Sequence, residues 1–421
     1  MLMKNQSDSK NLIKKPRVAI ISSSDFKAFP GGGITSFLNY ITPILSDIFD
    51  LSAIGISIKT NKIGNWTKIK IKGKNIHFLP IVRLGNDFVP KMLKVLWGIV
   101  RNRKKILTGN FDVLYFHGNP LVIPFFFFKK QPIIVAHFHG LQNPLAYVRI
   151  KFFRNILSEK IYEVFCYKLV MKMADKILIA SDQQSFLNFS EKYNEYKDKF
   201  IRIPNFVDND FFLKETKKWT IERAKLIHQW KIPEKNFIYI GRFSDEKNLV
   251  FLLNTYYKFK KESKKHWGLI LIGDGPQKKD IEKLINRKSI KNVFMPGFKQ
   301  KEELPKYLAV SDVFVLPSVS EGWGLVVNEA MAAGLPILIS KKCGCSQELV
   351  EDGKNGFSFD PQDTNELLRL MLDIADGKYD LKVMGENSLR IINKFKPELV
   401  VPMIAQIIKS ILIEKTASQN L

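Results

Sequence analysis

The chain has 421 residues, 45% hydrophobic, 12% aromatic and 25% charged, which excludes a disordered chain and gives enough length for two or three domains. Its 24 Gly and 19 Pro are too few for collagen-like or low-complexity sequence, and three cysteines, Cys166, Cys343 and Cys345, make neither a disulfide framework nor a four-thiolate zinc site. The net charge is +25, and residues 1–210 hold 32 Lys/Arg against 15 Asp/Glu, a balance of +17, so the first half is the one suited to nucleic acid, anionic lipid or a phosphorylated substrate.

Residues 1–16 are polar, read as a disordered lead-in, and lack the apolar centre of an export signal. The reading is a cytoplasmic protein. The longest apolar run, Leu121 to Phe128, is broken by Pro124 and falls far short of the roughly 20 residues that span a bilayer. From Arg17 onward short β-rich runs alternate with helical patterns, the order of a parallel α/β architecture. Arg17 to Ser22 reads as the first strand, followed by a glycine loop to Gly33 and a helix from Ile34 to Asp47. Strands are then expected at Leu51 to Ile56, Val113 to Phe116, Ile133 to Ala136 and Lys176 to Ala180, with helices at Pro90 to Lys105 and Val148 to Met173.

A second series starts after the turn-rich stretch Pro204 to Thr220, with strands at Phe237 to Ile240, Leu269 to Ile272, Val293 to Met295, Val313 to Leu316 and Pro336 to Ile339. Two α/β domains are implied: 1–204, 205–394, and a C-terminal helix at 395–421 that can cross back to the first domain. Ligands of open parallel sheets lie beyond the carboxyl ends of the strands, so functional residues are expected in the loops that follow them.

Those loops carry the chemistry-bearing residues. Gly31-Gly32-Gly33 lets backbone approach a diphosphate at the positive end of a helix, or is only a glycine-rich turn. His117-Gly118 and His137-Phe138-His139-Gly140 follow strand ends, where imidazoles donate to phosphate or sugar oxygens or relay protons. A metal at His-x-His is the weaker reading, because no acidic motif accompanies it. Arg242 and Lys247 flank one strand-to-helix junction and suit an anion, or are two solvated cations beside Asp245 and Glu246. Gly273-Asp274-Gly275-Pro276 is a further glycine turn. In Ser320-Glu321-Gly322-Trp323-Gly324-Leu325-Val326-Val327-Asn328-Glu329, free N–H groups at a helix start suit an anion. Glu321 and Glu329, two helical turns apart, suit sugar and ribose hydroxyls.

In this order the segments resemble the retaining glycosyltransferases of the family 4, group 1 type, which use the two-Rossmann GT-B fold and carry an E-x7-E motif. Here that motif is Glu321 to Glu329. The resemblance also takes in Ile203-Pro204-Asn205 with Asp208, and Gly344-Cys345-Ser346-Gln347-Glu348-Leu349-Val350, and it runs from about residue 17 to 360. It implies two parallel-sheet domains facing a cleft, an acceptor-binding first domain and a nucleotide-sugar-binding second one. It places Glu329 on the ribose, Glu321 on the donor sugar, Arg242 and Lys247 on the diphosphate, and the backbone of Gly32, Gly33 and Gly322 to Val326 around the phosphates. His139 matches the family's active-site histidine, with His117, His137 and Gly140 nearer the acceptor or sugar. Trp323 stands where Phe is commoner, and Phe206 replaces a usual Gly.

The expected function is hexosyl transfer with retention, from a nucleoside-diphosphate sugar, UDP by family weight, to a glycan or lipid-linked acceptor in surface polysaccharide or lipopolysaccharide synthesis. No metal or other cofactor is expected, since cations and a helix dipole stabilise the departing diphosphate. Asp208-Asn209-Asp210 and Cys343-Gly344-Cys345 are read as coincidental to metal binding. Lys91 to Lys105 mixes cations with Leu93, Leu96, Trp97 and Ile99, and with Val148 to Lys172 suggests a peripheral position on an anionic membrane, unless these apolar faces pack inward. Nucleic acid is not expected as a partner, because no recognition motif is visible. Three alternatives stay open: a GT-B epimerase or hydrolase, separated by acceptor-dependent turnover; a basic nucleic-acid- or membrane-binding protein, separated by salt-dependent binding; and an inactive scaffold, against which the intact charged residues speak.

Overall fold

A computed structural model describes residues 15–26, 33–58, 62–83, 91–126, 132–141, 160 and 163–419. Two sheets organise them. The first has eight strands in the order β3-β4-β2-β1-β5-β6-β7-β8. These are β1 (Arg17–Asp25), β2 (Asp50–Ser57), β3 (Thr67–Ile71), β4 (Lys74–Arg83), β5 (Val113–His117), β6 (Ile133–Phe138), β7 (Lys176–Ala180) and β8 (Phe200–Ile203). Its pairings are parallel except for the β3–β4 hairpin. The second sheet has six parallel strands in the order β11-β10-β9-β12-β13-β14. They are β9 (Lys235–Ile240), β10 (Trp267–Ile272), β11 (Val293–Gly297), β12 (Val313–Leu316), β13 (Ile337–Ser340) and β14 (Gly356–Phe359).

Strands buried on both faces read as unbroken apolar runs, and β5, β10 and β12 are buried at every residue. Helices cover both faces. In the first sheet the chain leaves β1 toward β2 and later returns on the other side to β5; in the second it leaves β9 toward β10 and returns to β12. Such a reversal splays the flanking loops and opens a crevice at the carboxyl ends of β1 and β5, and of β9 and β12.

Val207 and Phe212 begin a core that extends to Ile392 around the second sheet. The helix Pro397–Gln419 belongs elsewhere: Val400, Val401, Ile404 and Ile408 pack with Phe37, Ile41 and Leu45 of the helix Gly33–Ile48 in the core of the first sheet. Lys415 reaches Asp175 at 3.3 Å.

Several expected elements differ. The hairpin β3–β4 and the strands β8 and β14 are additional to those expected, because their sequences are short or interleaved with Lys and Asn. The expected helix Val148 to Met173 lies largely outside the described residues; its visible end is a π-helical turn, Glu163–Lys168, running into Leu169–Met173. Gly31 and Gly32 also lie outside them, while Gly33 opens the first helix. In the helix Lys91–Leu107, Val95, Ile99 and Ile106 turn inward, whereas Leu93 and Trp97 are 57% and 69% exposed.

Candidate active site

The loop after β12 and the loop after β13 are built against each other. Glu321 forms a parallel bridge with Cys343, and the Gly344 N–H donates to the Glu321 carbonyl at 2.9 Å. A Cβ on Gly344 would stand 2.2 Å from the Gly322 carbonyl oxygen, so only glycine lets the two loops approach this closely. Cys343 and Cys345 are buried small side chains beside this contact, and burial pushes both thiols up.

The helix Leu325–Ala332 begins after the Glu321 loop. Glu321 therefore lies in the loop and Glu329 in the second helical turn, which corrects the expectation that a continuous helix spaces them. Glu321 accepts a hydrogen bond from the Lys247 ammonium, in a pair whose side chains are 17% (Lys247) and 19% (Glu321) exposed. Lys247 ends the short turn Asp245–Lys247 after β9, so this pair joins the two strands that flank the reversal in the second sheet. The Val319 N–H donates to the Glu246 carbonyl at 2.9 Å and ties the same two loops by backbone.

Arg242 is exposed at the end of β9, with its carbonyl accepting from the Tyr239 hydroxyl at 3.0 Å. Gly273 and Gly275 support that loop from the neighbouring strand: a Cβ on Gly273 would lie 1.9 Å from the Gly241 carbonyl oxygen, and Phe243 N–H donates to Asp274 at 2.9 Å. Glu329 is mostly buried. Desolvation pushes its carboxyl up to about 7, and the positive charge of Lys301 offsets part of that rise. Lys301 follows β11 in the turn Lys301–Glu303 and was not singled out from sequence, although its place after a strand is the signal that would have found it.

On the facing domain, parallel pairing sets His117 opposite His137, and strand alternation puts His139 on the same side as His137. The His117 Nδ1 and His139 Nε2 atoms are 2.8 Å apart, and the Tyr115 hydroxyl lies 2.7 Å from His137 Nδ1. Phe37 packs on all three imidazoles with ring centroids 4.9–5.6 Å away. Burial holds the three rings neutral: it pushes His139 down to about 3 and His117 and His137 well below the usual range. Proton relay near neutral pH, one of the sequence expectations, therefore gives way to hydrogen bonding by neutral rings.

A cavity of about 390 Å³ lies between the domains. Ile34, Phe37, His139, Gly140 and Ala180 line it from one side, Asn205 and Phe206 from the connecting segment, and Glu321, Gly322, Trp323, Gly324 and Leu325 from the other. The structure thus brings His139, Gly140 and the Glu321–Leu325 loop together. Among these predicted residues, Arg242, Lys247, Val326 and Glu329 do not line that cavity, and His117 and His137 lie behind it. A second cavity of about 480 Å³ shares Glu321 and Gly322 and continues along Ser181, Asp182, Lys341 and Lys342. Trp323, the departure from the usual Phe, is buried with its indole N–H donating to Asn328 at 2.8 Å, and Phe206 packs against Phe37 with tilted rings whose centroids are 4.9 Å apart. Sequence reasoning missed Phe37 and Tyr115, because only the register reveals that they touch the histidines. Asp208, of the Asp-x-Asp stretch, accepts from the Phe211 N–H at 3.0 Å and caps the helix Asn209–Thr220.

Two parallel sheets meeting across such a cleft are the GT-B fold. The structure of sucrose-phosphate synthase from Thermosynechococcus elongatus superposes with a TM-score of 0.75 at 18% identity, covering 95% of this chain and 100% of that one. Anabaena HepE in complex with UDP-glucose gives 0.68 at 19% identity, over 94% and 99%. The model of the family Glycosyl transferases group 1 matches residues 221–390, within the segment that carries the second sheet. A sulfoquinovosyl transferase of Arabidopsis thaliana is 36% identical over 157 residues, 37% of this chain and 29% of that protein. An alpha-monoglucosyldiacylglycerol synthase of Acholeplasma laidlawii is 34% identical over 199 residues, 46% and 48% of the two chains. The matched stretches therefore span less than half the length of these relatives.

Proposed function

We propose that the protein is a glycosyltransferase that moves a sugar from a nucleoside-diphosphate sugar to a glycan or lipid-linked acceptor, with retention at the anomeric carbon. The observation that carries this reading is Glu321, which lines a cleft shared with His139 and accepts a hydrogen bond from the Lys247 ammonium. When a diphosphate leaves, negative charge grows on its oxygens and positive charge on the anomeric carbon. In this reading Lys247 and Arg242 meet the first, aided by N–H groups at the start of the helix Leu325–Ala332. Glu321 binds donor-sugar hydroxyls, Glu329 the ribose, and neutral His139 hydrogen-bonds the transferred sugar. Residues 1–204 would hold the acceptor and 205–394 the donor, with 395–421 returning to the first domain. None of these steps assigns work to a metal.

UDP is the proposed base, supported by a neighbour solved with UDP-glucose. A lipid-linked acceptor is supported by two relatives, the diacylglycerol synthase and an Escherichia coli galactosyltransferase acting on a GlcNAc-diphosphoundecaprenol, 28% identical over 205 residues. The fold neighbour WaaG, described as involved in lipopolysaccharide biosynthesis, supports a role in surface glycan assembly. Among the described residues no helix is long and apolar enough to cross a membrane. Peripheral attachment is the proposed arrangement, through Leu93, Trp97, Arg101 and Lys104 on the outer face of Lys91–Leu107.

The test is transfer of label from nucleotide sugars to extracted membrane lipids. Acceptor-dependent transfer that Lys247→Ala reduces at least a hundredfold supports the reading. Sugar release that is indifferent to acceptor would favour a hydrolase on the same fold.

A further inference from the structure

We propose that His117, His137 and His139 form a binding site for one divalent transition-metal cation, Zn2+ being the ion it fits best. The argument starts from the sheet. Register sets His117 beside His137 and alternation adds His139, so three imidazoles cluster at the carboxyl ends of β5 and β6, the His137 and His139 rings stacked with centroids 4.3 Å apart. One ring nitrogen from each lies within 4.8 Å of the other two. Zn–N bonds of 2.0–2.1 Å hold tetrahedral ligands roughly 3.4 Å apart, so closing the site takes side-chain rotations that turn the stacked rings edge-on to one ion.

Two further observations point to a ligand. The Nε2 atoms of His117 and His137 are buried and have no hydrogen-bond partner among the described residues, although a buried polar nitrogen is costly to leave unpaired. The Tyr115 hydroxyl lies at 2.7 Å from the opposite nitrogen of His137, the kind of outer contact that fixes a ligating tautomer. The rings are held neutral, which is the ligating form. Among the described residues no carboxylate belongs to the cluster, so an all-imidazole donor set suits Zn2+, Co2+, Ni2+ or Cu2+ and not Mg2+ or Ca2+. His139 also lines the interdomain cavity, which supplies an entry path and a fourth, open position.

The experiment is titration of untagged, metal-free, full-length protein with Zn2+ by calorimetry and with Co2+ by visible absorption. Expected are one equivalent of Zn2+ and an intense tetrahedral Co2+ band. His117→Ala and His137→Ala should each weaken Zn2+ binding at least tenfold, while the exposed His77→Ala leaves it unchanged. If the buried variants do not fold, as judged by circular dichroism, His139→Ala at the cavity wall serves as the test. The proposal is overturned if no Zn2+ binds, if the variants bind it as tightly as the wild type, or if Co2+ shows only the weak octahedral spectrum. Because none of these readouts uses a sugar donor, failure here leaves the glycosyltransferase reading standing, and the converse also holds.

Discussion

Burial lifts the Glu329 carboxyl to about 7 from an ordinary 4.5. Only the carboxylate accepts from both ribose hydroxyls, so nucleotide-sugar affinity should rise with pH through that value, by about tenfold between pH 6 and 8. A nucleotide sugar is the right probe, since its phosphates stay ionised across the range. Glu329→Gln should bind weakly and without that slope; a slope retained in the variant would assign it to another group. Stability should run the opposite way. The unfolded carboxyl ionises near 4.5 while the folded one keeps its proton to about 7, so this residue's contribution is full below 4.5 and is lost as pH rises through 7. The melting temperature of the wild type relative to Glu329→Gln should fall across that window. At His139, whose neutral ring lines the cavity, Ala should lower kcat by about a hundredfold and change nucleotide affinity less than threefold. Equal losses in both would make it a binding residue.

The loops are elements as much as the strands are. The Gly344 contact shows that the segment after β13 acts on the cleft by propping the Glu321–Gly322 peptide. Gly344→Ala forces that peptide away, at about 1–3 kcal/mol of overpacking. Calorimetry should show a melting temperature lower by several degrees together with weaker nucleotide-sugar binding, whereas an unchanged affinity would mean that the two loops are independent. Much of this scale was legible in the sequence. β5, β9 and β10 are short apolar runs that lead straight into His117-Gly118, Gly241-Arg242 and Gly273, and strands buried on both faces read as such runs. The hairpin β3–β4, with Lys68, Lys70 and Lys74 exposed, was not legible, because a half-solvated edge hairpin carries little apolar signal. The start of the helix at Leu325 was hidden as well: Gly322 and Gly324 mark a turn without saying where it ends. The glycine loop around Gly32 is a sequence expectation on residues outside those described. Individual site residues were legible by type, and Lys301 by its place after a strand; the histidine cluster needed a register that no single segment encodes.

At the scale of the molecule, two sheets are held together by few direct ties. Arg202 in β8 meets Glu348 at 2.9 Å, the Gln183 N–H donates to the same carboxylate at 2.9 Å, and the Pro397–Gln419 helix returns from the second core to the first. The Lys-rich first domain is where the exposed pair Leu93 and Trp97 stands among Lys91, Arg101 and Lys104. Sedimentation with vesicles should show binding to phosphatidylglycerol that weakens with salt and falls at least fivefold in Trp97→Ala combined with Lys104→Glu. Equal binding to neutral phosphatidylcholine vesicles would contradict the electrostatic part. The central claim concerns the cleft itself, and calorimetric titration of wild type and Glu329→Ala with a panel of nucleoside diphosphates and their sugars tests it most directly. The account predicts that one base, UDP, binds the wild type selectively and that Glu329→Ala loses at least tenfold in affinity. Binding of no nucleotide, or equal binding by both proteins, would contradict it.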